Sequence, residues 1–587
     1  MAASASTGTP AFSGTNDYTA GVDEPDLVKT DGTRVVTVVG GVLQVIDAES
    51  RAVTGRLNLA AATGGSAASQ PANLLLSGDH ALVLTSAGSA PGGVSPSADG
   101  VSPSADGVWQ PAIGPQLLLV DLTGQPHVLS SYSIEGSLAD AREIGSVVRV
   151  VIRSQPHLIF PTQPSGATDA QRVAANQAVI GSAGIDAWLP HYEQITGAST
   201  STGRVPCTDV SRPATYSGTN LLTVLTFDLA SGTLGSGNGV TIVADGDTVY
   251  GTSSSLYVAS DQRWQIAPQL AAAGAAVSSG HPVPQPQTTI YRFDITQPGP
   301  PRFAAGGSVP GYLLDQYAMS EWQGCLRIAT TTGTSWAIAD GAPPDAQTSS
   351  SAVYVLTTRG PVMRTVGKVT GLGVGERIYA VRFIGPAGYV VTFRQTDPLY
   401  TLDLRDPARP LVRGALALTG YSAYLHPASD VRLIGIGRQA DAVGHIGGTQ
   451  VSLFDVSDPA TPTRLSTFAL AGAISGAEFD PHAFLYWPSS HLVVVPVQMS
   501  GSPVPSGFGQ SLPGPQPGAL VLRINDAGIT EAGILSQPDP GYAGNPYRSG
   551  PIERSLVIGN TLWTVSIAGA MANDLSTLRQ LTWIPFA

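Results

Sequence analysis

IYAVRFIGPAGYVVTFRQTDPLYTLDLRDPARPLVRGALAL, residues 378–418, holds the plan of the whole chain. It divides into β-forming runs at 378–383, 389–394, 399–403 and 411–418, with GPAG as the first turn. The third run ends in a phrase that recurs: two or three β-forming residues, an Asp, one more apolar residue, then a polar, Gly or Pro turn. It reads LDL at Asp403, and elsewhere VID at Asp47, VDL at Asp121, FDL at Asp228, FDI at Asp294 and FDV at Asp455. Degenerate copies are YVLT at Thr357 and VLRI at Arg523. An Asp ahead of a turn accepts local backbone N–H bonds, so these six are expected to pin the connection to the last strand. Copies about 45 to 110 residues apart indicate an array in which each unit buries its face on its neighbours. The expected fold is all-β: a single β-propeller of four-stranded antiparallel blades, eight in number, with nine as the fallback.

Outward from residue 378, the same plan fits 26–59 at the start of the chain, with Asp31-Gly32 and Gly40-Gly41 as hairpin turns. It fits 422–468 and 479–535 downstream, and units two to five fall near 72–135, 138–243, 247–309 and 315–370. A shorter stretch over 555–584 reads as a partial blade closing the ring. Residues 1–20 read as leader or linker and 21–587 as one propeller domain, with insertions at 87–115, 154–219, 265–287, 333–350 and 499–518. The first contains the tandem VSPSADG-VSPSADG, which has no drive to fold. The second is the largest, and TDAQRVAANQAVIGSAGIDAWLPHYEQI within it carries a helical pattern with Trp188, His191, Tyr192 and Glu193 following.

Charged residues are only 12% of the 587, while Gly (68) and Pro (46) are abundant, as many short strands and tight turns require. Net charge is −12, and Lys29 and Lys368 are the only lysines. Nucleic acid and anionic membranes need clustered positive charge, so neither is an expected partner. No stretch is long and apolar enough to cross a bilayer as a helix. The opening MAASASTGTPAFSG reads as the small-residue tail behind a trimmed export signal. Cys207 and Cys325 are a disulfide candidate, with two free thiols as the alternative.

GVDEPDLVKTDG (21–32), YGTSSSLYVAS (250–260), GERIYAVRF (375–383), VTFRQTDPLYTLDLRDP (391–407), GYSAYLHP (420–427), VSLFDVSDPATP (451–462), DPHAFL (480–485) and IERSLVIGN (552–560) together resemble the bacterial and archaeal "beta propeller domain" family, distantly related to WD40 repeats. The resemblance spans nearly the whole chain. It implies a propeller in a secreted or cell-surface anchored protein, and brings no agreed activity, cofactor or catalytic residue.

In a propeller the innermost strands line a central channel, and residues at unit starts converge on one mouth. Reading off the starts gives Glu24, Asp26, Asn73, Asp140, Asp247, Asp315, Glu376, Tyr421, Asp480 and Glu553, with Asp397 of RQTDPLY on the same face. The candidate ligand-binding set is Glu24, Asp26, Asp140, Asp315, Glu376, Asp397, Asp480, His482 and Glu553. Such a ring suits a hard cation with six to eight oxygen ligands, for which Glu24, Asp480 and Glu553 are the candidate Ca²⁺ ligands. Carboxylates held close also raise one another's pKa, as a general acid needs. The structural alternative is pairing with arginine, suggested by Glu376-Arg377 and Glu553-Arg554. His482 should face the mouth, whereas His426 in YLHP falls at the other end of its strand and should not join it. No HExxH, G-x-S-x-G or GK[ST] signature is present.

The expected function is an extracytoplasmic binding or scaffold module, monomeric, presenting its acidic mouth to a protein, peptide or glycan. The alternative is a secreted hydrolase or lyase acting on a saccharide or peptide at the channel, through Asp480, His482, Glu553 or Asp397.

Overall fold

The structure is a computed structural model that describes residues 11–62, 72–85, 114–164, 166–261, 286–333, 349–393, 397–441, 445–499, 517–525, 528–538 and 550–586. Four of the expected insertions fall wholly or largely outside these residues, and 154–219 lies almost entirely within them. The strands form eight hydrogen-bonded sheets among the described residues. One sheet fuses two four-stranded meanders through a single parallel bridge, Gly306 to Val362, so the eight sheets carry nine meanders. They are numbered here as units one (28–58), two (72–134), three (137–243), four (248–310), five (312–372), six (377–418), seven (421–470), eight (473–535) and nine (552–585). The last unit closes on the first through a shared core of Val28, Val35 and Ile46 with Leu556, Trp563 and Val565.

The recurrent Asp does what local chemistry dictates. Asp47, Asp121, Asp228, Asp294, Asp403 and Asp455 are each the last residue of a third strand. Each carboxylate accepts a backbone N–H two or three residues on, from Ser50, Thr123, Ala230, Thr296, Arg405 and Ser457, at 2.6–3.1 Å. Those bonds hold the Asp294 carboxyl down at about 2, led by the Thr296 hydroxyl. The turn so fixed is driven into the preceding unit. A Cβ on Gly414, in the last strand of unit six, would meet Pro459 O of unit seven at 2.6 Å. One on Gly367 of unit five would meet Pro407 O of unit six at 2.2 Å. Glycine there lets the outer strand of one blade accept the Asp-Pro turn of the next.

Unit nine is a complete blade, not a partial one. Its third strand, Gly569–Asp574 (GAMAND), has weak β-propensity and escapes a composition-based reading, yet it is buried between two strands and ends in the same Asp-turn geometry, with Ser576 N at 3.1 Å from Asp574. In units five and eight the first strand is interrupted. Short 3₁₀ turns, Gln316–Ala318 in unit five and Gly476–Glu478 and Pro481–Ala483 in unit eight, split it. These interruptions push side chains toward the ring's centre.

The 154–219 insertion leaves unit three and adds the hairpin His191–Thr196 and Ser199–Arg204 to the outer edge of unit two. Buried Glu135 anchors it, accepting from His157 Nε2 at 2.8 Å and His191 N at 2.9 Å. The helical pattern becomes Asp169–Ser182, opened by a Thr168–Gln171 capping box. Of the two readings for the cysteines the alternative holds: Cys207 and Cys325 are free thiols, the first in this insertion and the second opening a strand of unit five. No described helix is long and apolar enough to cross a membrane.

Candidate functional site

Several of the unit-start residues meet around a segment of the chain itself. Residues 11–20, expected as leader or linker, run with 21–27 across the centre of the ring, whereas 1–10 lie outside the described residues. Phe12 bridges Ile558 and Ser13 N donates to Val557 O at 2.8 Å, both in unit nine. Asn16 Nδ2 donates to Tyr424 Oη of unit seven (2.8 Å) and Pro481 O of unit eight (2.7 Å). The Tyr18 ring packs on Tyr250 of unit four and Tyr317 of unit five, under the Arg382 guanidinium of unit six at 4.6 Å. Asp23 pairs backbone to backbone with Glu143 of unit three, and Asp26 with Leu74 of unit two. This strap therefore touches units two to nine and leads directly into unit one. It also folds on itself: Glu24 N donates to Asp17 Oδ1 and Tyr18 N to Glu24 Oε1, each at 3.1 Å.

Five members of the expected set meet around the strap. Glu24 accepts from His482 Nε2 (3.0 Å) and Gln316 Nε2 (2.7 Å). Burial alone would raise its carboxyl, but the Arg142 charge and the His482 bond bring it down to about 2. Burial likewise opposes the charge on His482, and the Glu24 bond outweighs it, raising its pKa. Arg554 joins Asp26 to Asp480, with Nε and Nη2 each 2.6 Å from a carboxylate oxygen. Fully buried Arg142 meets Asp140 at 2.7 Å and Gln316 Oε1 at 2.5 Å. Asp315, next to Gln316, caps the unit-five 3₁₀ turn by accepting from Tyr317 N at 2.8 Å, and burial holds its carboxyl up at about 6. Glu376 accepts from Thr392 within unit six, and Glu553 is pushed up by burial beside Arg554. Asp397 opens a strand of unit six, and its side chain lies outside the described residues.

The strap adds carboxylates of its own. Lys29 Nζ binds Asp23 at 2.6 Å and Thr15 Oγ1 at 2.5 Å, and also Glu24 O. Burial and the Asp23 charge raise Asp17 to about 8, and burial raises Glu143 to about 7. Among the described residues no group of three or more His, Cys, Asp or Glu side chains is arranged to hold a metal ion.

A cavity of about 270 Å³ lies between the strap and units one, seven, eight and nine. Asn16, Lys29, His482 and Arg554 supply polar groups to its wall, and Phe484, Tyr486 and Trp487 aromatic ones. His426 lines it too, which corrects the expectation that it stays apart from His482. The interrupted first strand of unit eight carries Phe484 across to the His426 ring, 4.8 Å between centroids. Burial drives the His426 pKa down to about 3, so this imidazole is neutral.

Sequence reasoning, centred on acids, missed Arg142, Gln316, Arg382 and the strap tyrosine. The available signal was the scarcity of basic residues: in a chain with 30, Arg142, Arg382 and Arg554 each fall within the first strand of a unit. Such arginines are buried partners rather than solubilising surface.

Two curated relatives are uncharacterized archaeal proteins. One from Methanocaldococcus jannaschii is 42% identical over 180 residues, 31% of this chain and 26% of its own length. One from Archaeoglobus fulgidus is 37% identical over 194 residues, 33% of this chain and 28% of its own length. The chain thus matches little more than a quarter of either relative. Among solved structures, a eukaryotic initiation factor aligns over 86% of this chain and 87% of its own at 11% identity and a TM-score of 0.36. Apo AztD from Citrobacter koseri aligns over 96% and 94% at 10% identity and a TM-score of 0.35. Scores this low carry no functional argument. The family described as "Beta propeller domain" matches residues 12–578, beginning at the strap and ending inside the ninth unit, and the chain belongs to that family.

Proposed function

We propose that this chain is an extracytoplasmic binding and scaffold module that holds a peptide or glycan at the cavity beside the strap. The observation that carries the reading is the state of the central carboxylates. Glu24 and Asp26 of the strap and Asp140 and Asp480 of the blades are bound to His482, Arg554 or Arg142. Groups engaged in this way stiffen the ring and hold the cavity wall in one arrangement, which lowers the ordering cost of binding. The cavity offers aromatic faces for stacking and N–H donors for hydroxyl or carbonyl oxygens, the combination that a sugar ring or a peptide end uses.

The test is binding of the purified protein to oligosaccharide and peptide arrays, followed by titration of the strongest hits against Tyr486→Ala and His426→Ala. Saturable one-to-one binding, weakened at least tenfold by either change with the melting midpoint retained, supports the reading. Binding that ignores both changes places recognition elsewhere. Release of cleaved saccharide or peptide, lost in Asp480→Asn or His482→Ala, would instead make the protein a hydrolase or lyase.

A further inference from the structure

A second cavity, far larger at about 630 Å³, lies in the 154–219 insertion where it rejoins unit three. Leu189, Val210 and Leu221 give it an apolar wall, and Trp188 and Tyr216 bring aromatic rings to it. The insertion is built to leave such surface open. It holds seven of the seventeen large exposed hydrophobic side chains of the described residues, although it contributes only 65 of the 463 described residues. Tyr216 is 74% exposed, and none of the fourteen residues of the neighbouring helix Asp169–Ser182 is buried. Two of the seven, Ile185 and Tyr216, line the cavity itself, and exposed apolar side chains at a concavity mark a binding site.

The polar chemistry of the wall is one-sided. Arg212 is its only charged residue, in a chain whose net charge is −12, and no carboxylate lines it. Among the described residues the Arg212 guanidinium, the Trp188 indole N–H and the Tyr216 hydroxyl have no hydrogen-bond partner. The wall therefore combines an unneutralised cation, further donors and a large apolar lining. We propose that this cavity binds a small apolar carboxylate, with the anionic head on Arg212 and the hydrocarbon or aromatic body between Trp188 and Tyr216. A volume near 630 Å³ suits a whole small molecule more than a single side chain of a protein partner. This site is separate from the cavity beside the strap, and either can fail without the other.

Decanoate is the probe, with decanol as its uncharged counterpart, titrated calorimetrically into the full-length protein. The expected dissociation constant is on the order of 10–100 μM for decanoate, from the usual yield per ligand atom. Arg212→Gln should weaken decanoate about tenfold or more, the loss of one charge-assisted bond, and leave decanol unchanged. Trp188→Ala should weaken both. Arg212 is exposed, so Arg212→Gln leaves the fold intact, and an unaltered melting midpoint checks this. The exposed Cys207 thiol lines the same wall, so saturating decanoate should slow its alkylation by iodoacetamide, followed by peptide mass spectrometry. Three results would each overturn the proposal: no decanoate binding at millimolar concentration, equal binding of decanol with no effect of Arg212→Gln, or preference for a Leu-Leu-Leu tripeptide over decanoate, which would make the occupant a protein terminus.

Discussion

Changing Arg554 to methionine removes the cation of unit nine that joins Asp26 of the strap to Asp480 of unit eight. In the intact protein the guanidinium gives Nε to Asp26 and Nη2 to Asp480, both at 2.6 Å, and Nη1 to Glu553 O at 2.9 Å. Asp26 is 4% exposed at its side chain, so its charge would stay buried, relieved only by the Leu27 N–H at 2.8 Å. Asp480 is 45% exposed and would turn to water. Breaking a buried pair from one side costs about 3–5 kcal/mol, and the exposure of Asp480 places this case near 3. With about 2.1 cal/mol/K of unfolding entropy per residue, 3 kcal/mol lowers the midpoint of a chain this long by about 2–3 °C. Arg554→Met with Asp26→Asn removes both the cation and the orphaned charge, and should return to within about 1 kcal/mol of the parent. Differential scanning calorimetry of the parent, both single variants and the double variant closes the cycle. A single variant melting with the parent, or a double variant no better than the sum of the two losses, would refute the argument.

Three further outcomes follow from the same geometry. Stability should fall as pH rises through neutrality, because Asp17 is raised to about 8 and its protonated form favours the fold; that contribution is complete below its ordinary 3.8 and disappears toward 8. His482, raised above 6.5, adds to the same alkaline decline, whereas Glu24 at about 2 contributes above 4.5 and is lost only in strong acid. Asp17→Asn should therefore flatten the melting midpoint between about pH 5 and 8, and an unchanged slope would remove Asp17 from the account. Melting with EGTA and then with excess Ca²⁺ should give superimposable curves, since the central carboxylates are neutralised by arginine and histidine. A Ca²⁺-dependent rise, which at a hundred times the dissociation constant amounts to about 2.7 kcal/mol, would reinstate Glu24, Asp480 and Glu553 as ion ligands. Gly414→Ala should destabilise by about 1–3 kcal/mol by forcing a Cβ onto Pro459 O and Ala460 O, whereas Gly181→Ala, in the open on the insertion helix, should be neutral or slightly stabilising.

The repeated Asp made the blades legible because its chemistry is local: the carboxylate, the turn amides it binds and the strand it ends are consecutive in sequence. The insertion helix was legible for a similar reason, from the local pattern of TDAQRVAANQAVIGS. Unit nine was read short because Gly569–Asp574 is strand by burial between neighbours, a tertiary effect that propensity does not carry. Of the acidic residues read at unit starts, Glu24, Asp26, Asp140 and Asp480 lie around the strap, and their partners were not legible. Arg554 meets Asp26 and His482 meets Glu24 across more than four hundred residues, and nothing local fixes those pairings. The strap escaped for a related reason. GTNDYTAGVDE is small and polar, with a composition like that of any linker, and only the closed ring turns Asn16, Tyr18 and Glu24 into core contacts.

The central claim is that residues 11–27 are part of the ring's interior, and hydrogen exchange of the peptide amides in this segment tests it most directly. Ser13, Tyr18, Asp23, Glu24 and Asp26 donate their amides to Val557 O, Glu24 Oε1, Glu143 O, Asp17 Oδ1 and Leu74 O. Native-state exchange followed by mass spectrometry should find these amides protected on the same timescale as the inner strands. Exchange within seconds, while the blade strands remain protected, would show a strap that does not occupy the channel and would return the acidic mouth to solvent.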